Sequence, residues 1–270
     1  MFKRWGKKGT KNDFYTFPFV TTNLVFLHTE QKKIRMPKLV FRYGTCASGK
    51  TAALLGVHDM YKKQNKRAVI LKPKLDTRLA DEKEIRSRNT LSAQADYVIS
   101  SMDDIHALTR QIELEQKTLP KRDPARIRCV LAEECQFFPE EAIAEFRYWT
   151  FLGVPVLCYG LRTDYRMQLF GAARALMAQA DVIEEVKGIC ACQDCDAKSC
   201  INLKLCNGKP VDPYAPLAAT ESVIDVGFED KYMQVCYKHF FLFFPKHAPQ
   251  PSSLSALVDG EDEEEDALTF

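Results

Sequence analysis

Eight consecutive residues, Gly44-Thr45-Cys46-Ala47-Ser48-Gly49-Lys50-Thr51, constrain this 270-residue chain more than any other feature. They meet the pattern GxxxxGK[ST] at every specified position, and that pattern works only where a strand ends, the backbone turns with its N–H groups inward, and a helix begins. Upstream, Leu39-Val40-Phe41 reads as the end of a buried strand. Downstream, Thr51-Ala52-Ala53-Leu54-Leu55 with Met60-Tyr61 predicts a helix over 49–63 whose N-terminus faces an anion. In such a loop Gly44, Thr45, Cys46, Ala47, Ser48 and Gly49 wrap the phosphates of a nucleoside triphosphate. Lys50 reaches the terminal phosphates, and the Thr51 hydroxyl can ligate Mg²⁺.

The pattern around the loop predicts the fold class. Between residues 37 and 181 short apolar runs alternate with amphipathic stretches: Leu39–Tyr43, Ala68–Leu71, Tyr97–Ile99, Cys129–Ala132 and Val154–Tyr159. Strands alternating with helices imply an α/β domain, a mostly parallel, RecA-like sheet with helices on both faces. From about Val182 cysteines, prolines and glycine replace the long apolar runs, and residues 182–246 read as a small metal-stapled unit. Residues 1–36 form an N-terminal extension. Residues 247–270 combine a Pro/Ser stretch with an acidic block and read as a disordered tail.

Net charge is +2, and setting aside the seven acidic residues between Asp259 and Asp266 leaves +9 on the rest. Lys3, Arg4, Lys7, Lys8 and Lys11 make the N-terminus locally positive, which suits a solvated arm better than a phosphate-rich partner. No run reaches the roughly 18 apolar residues of a membrane span, and no secretory h-region opens the chain, so a cytoplasmic protein without a membrane partner is expected. Ten cysteines in that compartment are reduced thiols or metal ligands.

Three further groups carry chemistry. Glu133 and Glu134 end the apolar strand Cys129–Ala132, where the carboxyl ends of a parallel sheet line the ligand crevice, so they should meet the phosphate loop at one site. One carboxylate suits Mg²⁺ and the other a proton. Cys192-x-x-Cys195 and Cys236-x-x-His239 are two half-sites that supply four tetrahedral ligands to a structural zinc. Cys190, two residues before Cys192, is the poorer first ligand by spacing, while Cys46, Cys129, Cys158, Cys200 and Cys206 read as small buried hydrophobes. Arg162, with Asp164 and Tyr165 after the strand ending at Tyr159, offers a cation to charge developing on a transferred phosphoryl group.

Taken in order, these blocks resemble the cellular-type, zinc-containing thymidine kinases, with a phosphate-loop domain and a zinc-bearing lasso domain. The likeness runs from about Lys38 to Phe240. It rests on Gly44–Thr51, Asp76-Thr77-Arg78, Ser87-Arg88-Asn89-Thr90-Leu91, Glu133 to Phe138, Pro155 to Tyr165, Cys192/Cys195 and Cys236/His239. The resemblance implies transfer of the ATP γ-phosphate to the 5′-hydroxyl of thymidine, or of deoxyuridine, with Glu134 taking the proton and Lys50 and Arg162 beside the transferred group. It places Asp76, Thr77, Arg78, Glu133 and Gln136 around ATP and Mg²⁺. Phe137, Tyr165 and Phe170 would wall the base pocket, closed by a lasso of Val223, Ile224, Asp225, Val226 and Gly227 with Tyr232. A homotetramer binding thymidine and ATP, and no nucleic acid, is also implied.

Two positions and one segment depart from the family pattern, the segment Asn207 to Ser222 being longer and proline-rich. Glu133 stands where an aspartate is usual, and Gly227-Phe228 replaces a pair of glycines. A zinc-ribbon ATPase acting on nucleic acid, or a paralogue that binds nucleotide without transferring phosphate, are the rival readings. The first lacks a basic groove interleaved with aromatics.

Overall fold

The computed structural model describes residues 36–88, 90–216 and 231–249. Eleven strands and five helices follow one another among these residues. They run β1 (Leu39–Tyr43), α1 (Lys50–Lys63), β2 (Arg67–Pro73), β3 (Glu84–Arg86), β4 (Ser92–Gln94), β5 (Tyr97–Ile99) and α2 (Met102–Thr118). Then come β6 (Ile127–Ala132), α3 (Ala142–Phe151), β7 (Val156–Gly160), α4 (Gly171–Gln179), β8 (Val182–Glu185), β9 (Ile201–Cys206), β10 (Lys209–Pro210), β11 (Tyr232–Val235) and α5 (Tyr237–Phe243). The strands expected from the apolar runs all form, and the helix expected after the loop runs over Lys50–Lys63.

Six strands make one sheet in the order β5-β2-β6-β7-β1-β8, with every pairing parallel. Strand alternation divides its side chains between two cores. On β2, Val69 and Leu71 join the cluster under α2, α3 and α4, which holds Ile105, Ile112, Phe146 and Trp149. Ala68 and Ile70 point the other way, to Leu54 and Leu55 of α1 and Ile85 of the β3–β4 hairpin. Each such aliphatic side chain contributes about 1.5–3 kcal/mol when fully buried. Helix α2 starts on a capping box, Ser101 accepting from the Asp103 N–H while Asp104 accepts from Ser101 N–H. Trp149, fully buried, donates from Nε1 to Thr109 at 2.8 Å and so fastens α3 to α2.

The sheet does not stop at residue 181, where the change in composition put the boundary. Strand β8 pairs with β1 from Val40↔Val182 to Tyr43↔Glu185. Asp181 accepts the Leu39 N–H at 2.8 Å and sets that register. As an edge strand with none of its four residues buried, β8 carries too little apolar signal to read as part of a buried sheet.

Beyond it, β9 is flanked by β10 and β11 in a three-stranded antiparallel sheet. Cys190, Ile201, Leu203, Val235, Cys236 and Phe240 form its small apolar core. No helix among the described residues is long and apolar enough to cross a membrane. The expected lasso residues Val223 to Gly227, Asn89, nearly all of the N-terminal extension and the acidic tail lie outside the described residues.

Candidate active site and metal centre

Strand β1 delivers Gly44 to a crowded spot. A Cβ there would lie 2.3 Å from the Val186 carbonyl oxygen and 2.5 Å from Ser48 Oγ, so only glycine fits. The loop then turns through left-handed backbone at Ala47 (φ 60°) and Gly49 (φ 87°), the alternation that points successive N–H groups into an anion-binding nest. For Ala47 this conformation costs about 1–3 kcal/mol, which the surroundings must offset. Lys50 is buried at the start of α1, its ammonium 2.7 Å from Thr45 O and 3.2 Å from Gly44 O.

Thr51 Oγ1 donates to Glu133 Oε1 at 2.5 Å and joins the phosphate loop to the acid pair, although β1 and β6 are separated in the sheet by β7. Glu133 lies just past β6, its N–H held by Leu71 O at 2.9 Å. Its second carboxylate oxygen is buried with no hydrogen-bond partner. Burial, with Glu134 beside it, pushes the Glu133 carboxyl up to about 7.

Glu134 has left-handed backbone, φ 43° and ψ 48°, and opens the 3₁₀ turn Cys135–Phe137. A non-glycine residue persists there only where its neighbours over-determine it, and two side chains do so. Arg78 donates to Glu134 Oε1 at 2.5 Å and also to both oxygens of buried Asp76, at 2.6 and 2.9 Å. Gln136 donates from Nε2 to Glu134 Oε2 at 2.7 Å and accepts the Leu161 N–H at 2.9 Å, so it spans β6 and β7. Gly160 leaves room for that bridge, since a Cβ would sit 2.4 Å from Gln136 Oε1. Burial would raise the Glu134 carboxyl, but the charges of Arg78 and Lys50 and the Gln136 bond outweigh it and hold it below the ordinary carboxylate range. Two adjacent carboxyls are thereby driven apart, one poised near neutrality and the other ionised.

The aromatic residues take two places. Phe137 and Phe170 meet edge to face at 6.1 Å, and buried Tyr165 lies under the Lys204 ammonium, 5.3 Å from the ring centre. Tyr232 is on β11, paired with Lys204 of β9. Thr77 is exposed between Asp76 and Arg78. Arg162 sits over the Tyr43 ring at 5.0 Å and lines a cleft of about 100 Å³ with Gly44, Thr45, Lys198 and Asn202. The cation that meets Glu134 is thus Arg78.

The side chains placed to hold a metal ion differ from the set the spacing favours. Cys190, Cys195, Cys236 and His239 bring their ligand atoms within 4.8 Å of one another. Cys195 and Cys236 sulfurs are 4.0 Å apart, and His239 Nδ1 is 3.3 Å from Cys236 and 3.5 Å from Cys190. Three thiols and an imidazole at these separations fit a closed tetrahedral zinc site. Cys192, expected as first ligand, packs beside the cluster instead. The backbone explains the exchange: Cys190 N–H bonds to Ala197 O and Ala191 N–H to Gln234 O, which lay Cys190 against the end of β11, where its sulfur accepts the Cys236 N–H at 3.4 Å. Of the thiols read as buried hydrophobes, Cys129 and Cys158 are buried, Cys46 and Cys200 are half-buried, and Cys206 is exposed.

The thymidine kinase family model matches residues 37–240. The chain belongs to the thymidine kinase family. A thymidine kinase of Francisella tularensis subsp. tularensis is 33% identical over 206 residues, covering 76% of this chain and 97% of the relative. Those of Streptococcus agalactiae serotype Ia and Lactococcus lactis subsp. lactis are 34% and 33% identical, each over 76% of this chain and 98% of the relative. The matched span of this thymidine kinase family member includes the phosphate loop, the acid pair and the Cys/His cluster. Sequence reasoning passed over Ser199 and Asn202. Asn202 accepts the Cys46 N–H at 2.8 Å and Ser199 shares a 2.6 Å hydrogen bond with the Thr45 hydroxyl. Small polar residues 154 and 156 positions from their partners carry no local motif.

Proposed function

We propose that this protein is an ATP-dependent thymidine kinase that phosphorylates the nucleoside 5′-hydroxyl to give dTMP. The observation that carries the reading is the continuous chain of contacts from Thr51 through the adjacent pair Glu133 and Glu134 to Arg78, which gathers a phosphate loop, a metal-type carboxylate and an ionised base at one place. ATP with Mg²⁺ supplies the γ-phosphoryl group. Thr51 and Glu133 offer hydroxyl and carboxylate oxygens of the kind Mg²⁺ prefers, and the unpartnered buried oxygen of Glu133 fits that use.

Glu134 accepts the 5′-hydroxyl proton. Its depressed pKa makes it a weak base, which suits phosphoryl transfer: the transition state is loose, and orienting the nucleophile counts for more than base strength. Lys50 lies on the phosphate loop, and Arg78 keeps the carboxylate ionised and aimed. Arg162, with Gly44 and Thr45 on the cleft wall, provides a second cation along the loop's entrance. Phe137 and Phe170, edge to face, present aromatic surface for the base. A structural zinc on Cys190, Cys195, Cys236 and His239, a homotetramer and a cytoplasmic location complete the reading.

The test is incubation of the purified protein with γ-labelled ATP, Mg²⁺ and a nucleoside panel. Label on thymidine that vanishes in Glu134→Gln supports the kinase. ATP hydrolysis stimulated by single-stranded DNA, without label on any nucleoside, would replace it with a nucleic-acid ATPase.

A further inference from the structure

We propose that Asn202 and Ser199, on the zinc-bearing unit, are positioning residues for the phosphate loop. They hold Cys46 and Thr45 so that the turn at Ala47 is set before a triphosphate arrives. Ala47 is a non-glycine residue at φ 60°, and such a conformation survives only under external constraint. Within the loop itself, the bond from Ser48 N–H to Thr45 O is a long 3.4 Å. The two bonds from outside are shorter: 2.8 Å from Cys46 N–H to Asn202 Oδ1, part-buried, and 2.6 Å between the Thr45 and Ser199 hydroxyls, which are buried. A Cβ at Gly188 would lie 2.7 Å from Ser199 Oγ and 3.0 Å from Thr45 Oγ1. That hydroxyl pair is therefore packed tightly against the backbone.

Strand β9 shows how the constraint is anchored. Ile201 and Leu203 join the apolar cluster of Cys190 and Cys236. Strand alternation sends Asn202 to the opposite face, onto the loop. One face of β9 is therefore fixed by the core that surrounds the metal-ligating thiols, and the other holds the nucleotide loop. The consequence for nucleotide affinity rests on the kinase reading above; the tether itself does not.

Full-length zinc-loaded protein serves for the test, with amide hydrogen exchange over residues 44–48 in the absence of nucleotide and calorimetric binding of a non-hydrolysable ATP analogue. Asn202→Ala is expected to speed exchange at Cys46 and weaken the analogue by about tenfold, the scale of one lost hydrogen bond. The KM for ATP should rise with kcat changed less than twofold, and zinc should stay at one equivalent. Asn202→Asp, which keeps the acceptor, restores the exchange protection. Should Asn202→Ala fail to fold, Ser199→Ala is read by the same exchange measurement. Wild-type exchange and affinity in a folded, zinc-bearing variant overturn the proposal. A wild-type protein that ignores the ATP analogue overturns the kinase reading alone, and the exchange result still decides the tether.

Discussion

Arg78 and Glu134 meet at 2.5 Å, and the same guanidinium grips Asp76 at 2.6 and 2.9 Å, so the carboxylate proposed as the base is held by a fork whose other end is buried in the protein. Its ionisation therefore depends on Arg78. A carboxylate accepts a proton only when ionised, so with Glu134 in its proposed role the acid limb of the kcat/KM profile for thymidine reports its pKa. Removing Arg78 takes away an attraction for the charged form, raises that pKa, and moves the acid limb to higher pH. Arg78→Ala is expected to show this shift, and Glu134→Gln to lose at least about 100-fold in kcat at every pH. An unmoved acid limb in Arg78→Ala would remove the coupling.

Glu133 titrates in the opposite sense. Its carboxyl is held at about 7 in the folded protein against 4.5 for the unfolded chain. The folded state therefore keeps a proton that the unfolded state has released between those values. Stability from this group is present below about pH 4.5 and lost as pH rises to about 7. In metal-free protein, Glu133→Gln should flatten the fall in denaturation midpoint across that window. A slope equal to that of the wild type would show that Glu133 ionises normally.

Gly160 gives a steric prediction. Its missing side chain makes room for Gln136 Oε1 and Cys135 Sγ, which a Cβ would approach to 2.4 and 2.7 Å. Gly160→Ala is expected to cost about 1–3 kcal/mol of stability through overpacking and to reduce kcat by displacing the amide that holds Glu134. Chemical denaturation beside steady-state kinetics checks both, and a stable variant with normal kcat would contradict the geometry.

The proposed zinc ligands are separable by metal content. Cys190→Ser, Cys195→Ser, Cys236→Ser and His239→Ala should each lose zinc and loosen the small sheet, because binding energy there is folding energy. Cys192→Ser should retain it. Elemental analysis of the purified variants decides between Cys190 and Cys192, and zinc lost from Cys192→Ser but retained in Cys190→Ser would reverse the assignment.

Gly44 to Thr51, the acid pair and the strand–helix rhythm were legible in the sequence because each depends on neighbours in the chain: a turn needing glycine, a helix start, carboxylates at a strand end. Spacing also marked the cysteine-rich stretch as metal-binding. It favoured Cys192 over Cys190 because counting residues ignores which way the backbone points a sulfur. The edge strand β8 escaped because an edge buries little. Ser199, Asn202 and the contact of Arg78 with Glu134 join residues far apart in sequence, and their side chains are ordinary ones.

Local chemistry, then, was written in the order of residues: that a triphosphate loop exists, that two acids follow a strand, that thiols and a histidine come in pairs. The tertiary structure alone decided which of the two acids is ionised, which sulfur joins the cluster and what holds the loop in its strained turn. Burial, charge and hydrogen-bond geometry depend on what lies a few ångströms away in space, and that distance is set by packing of the whole sheet.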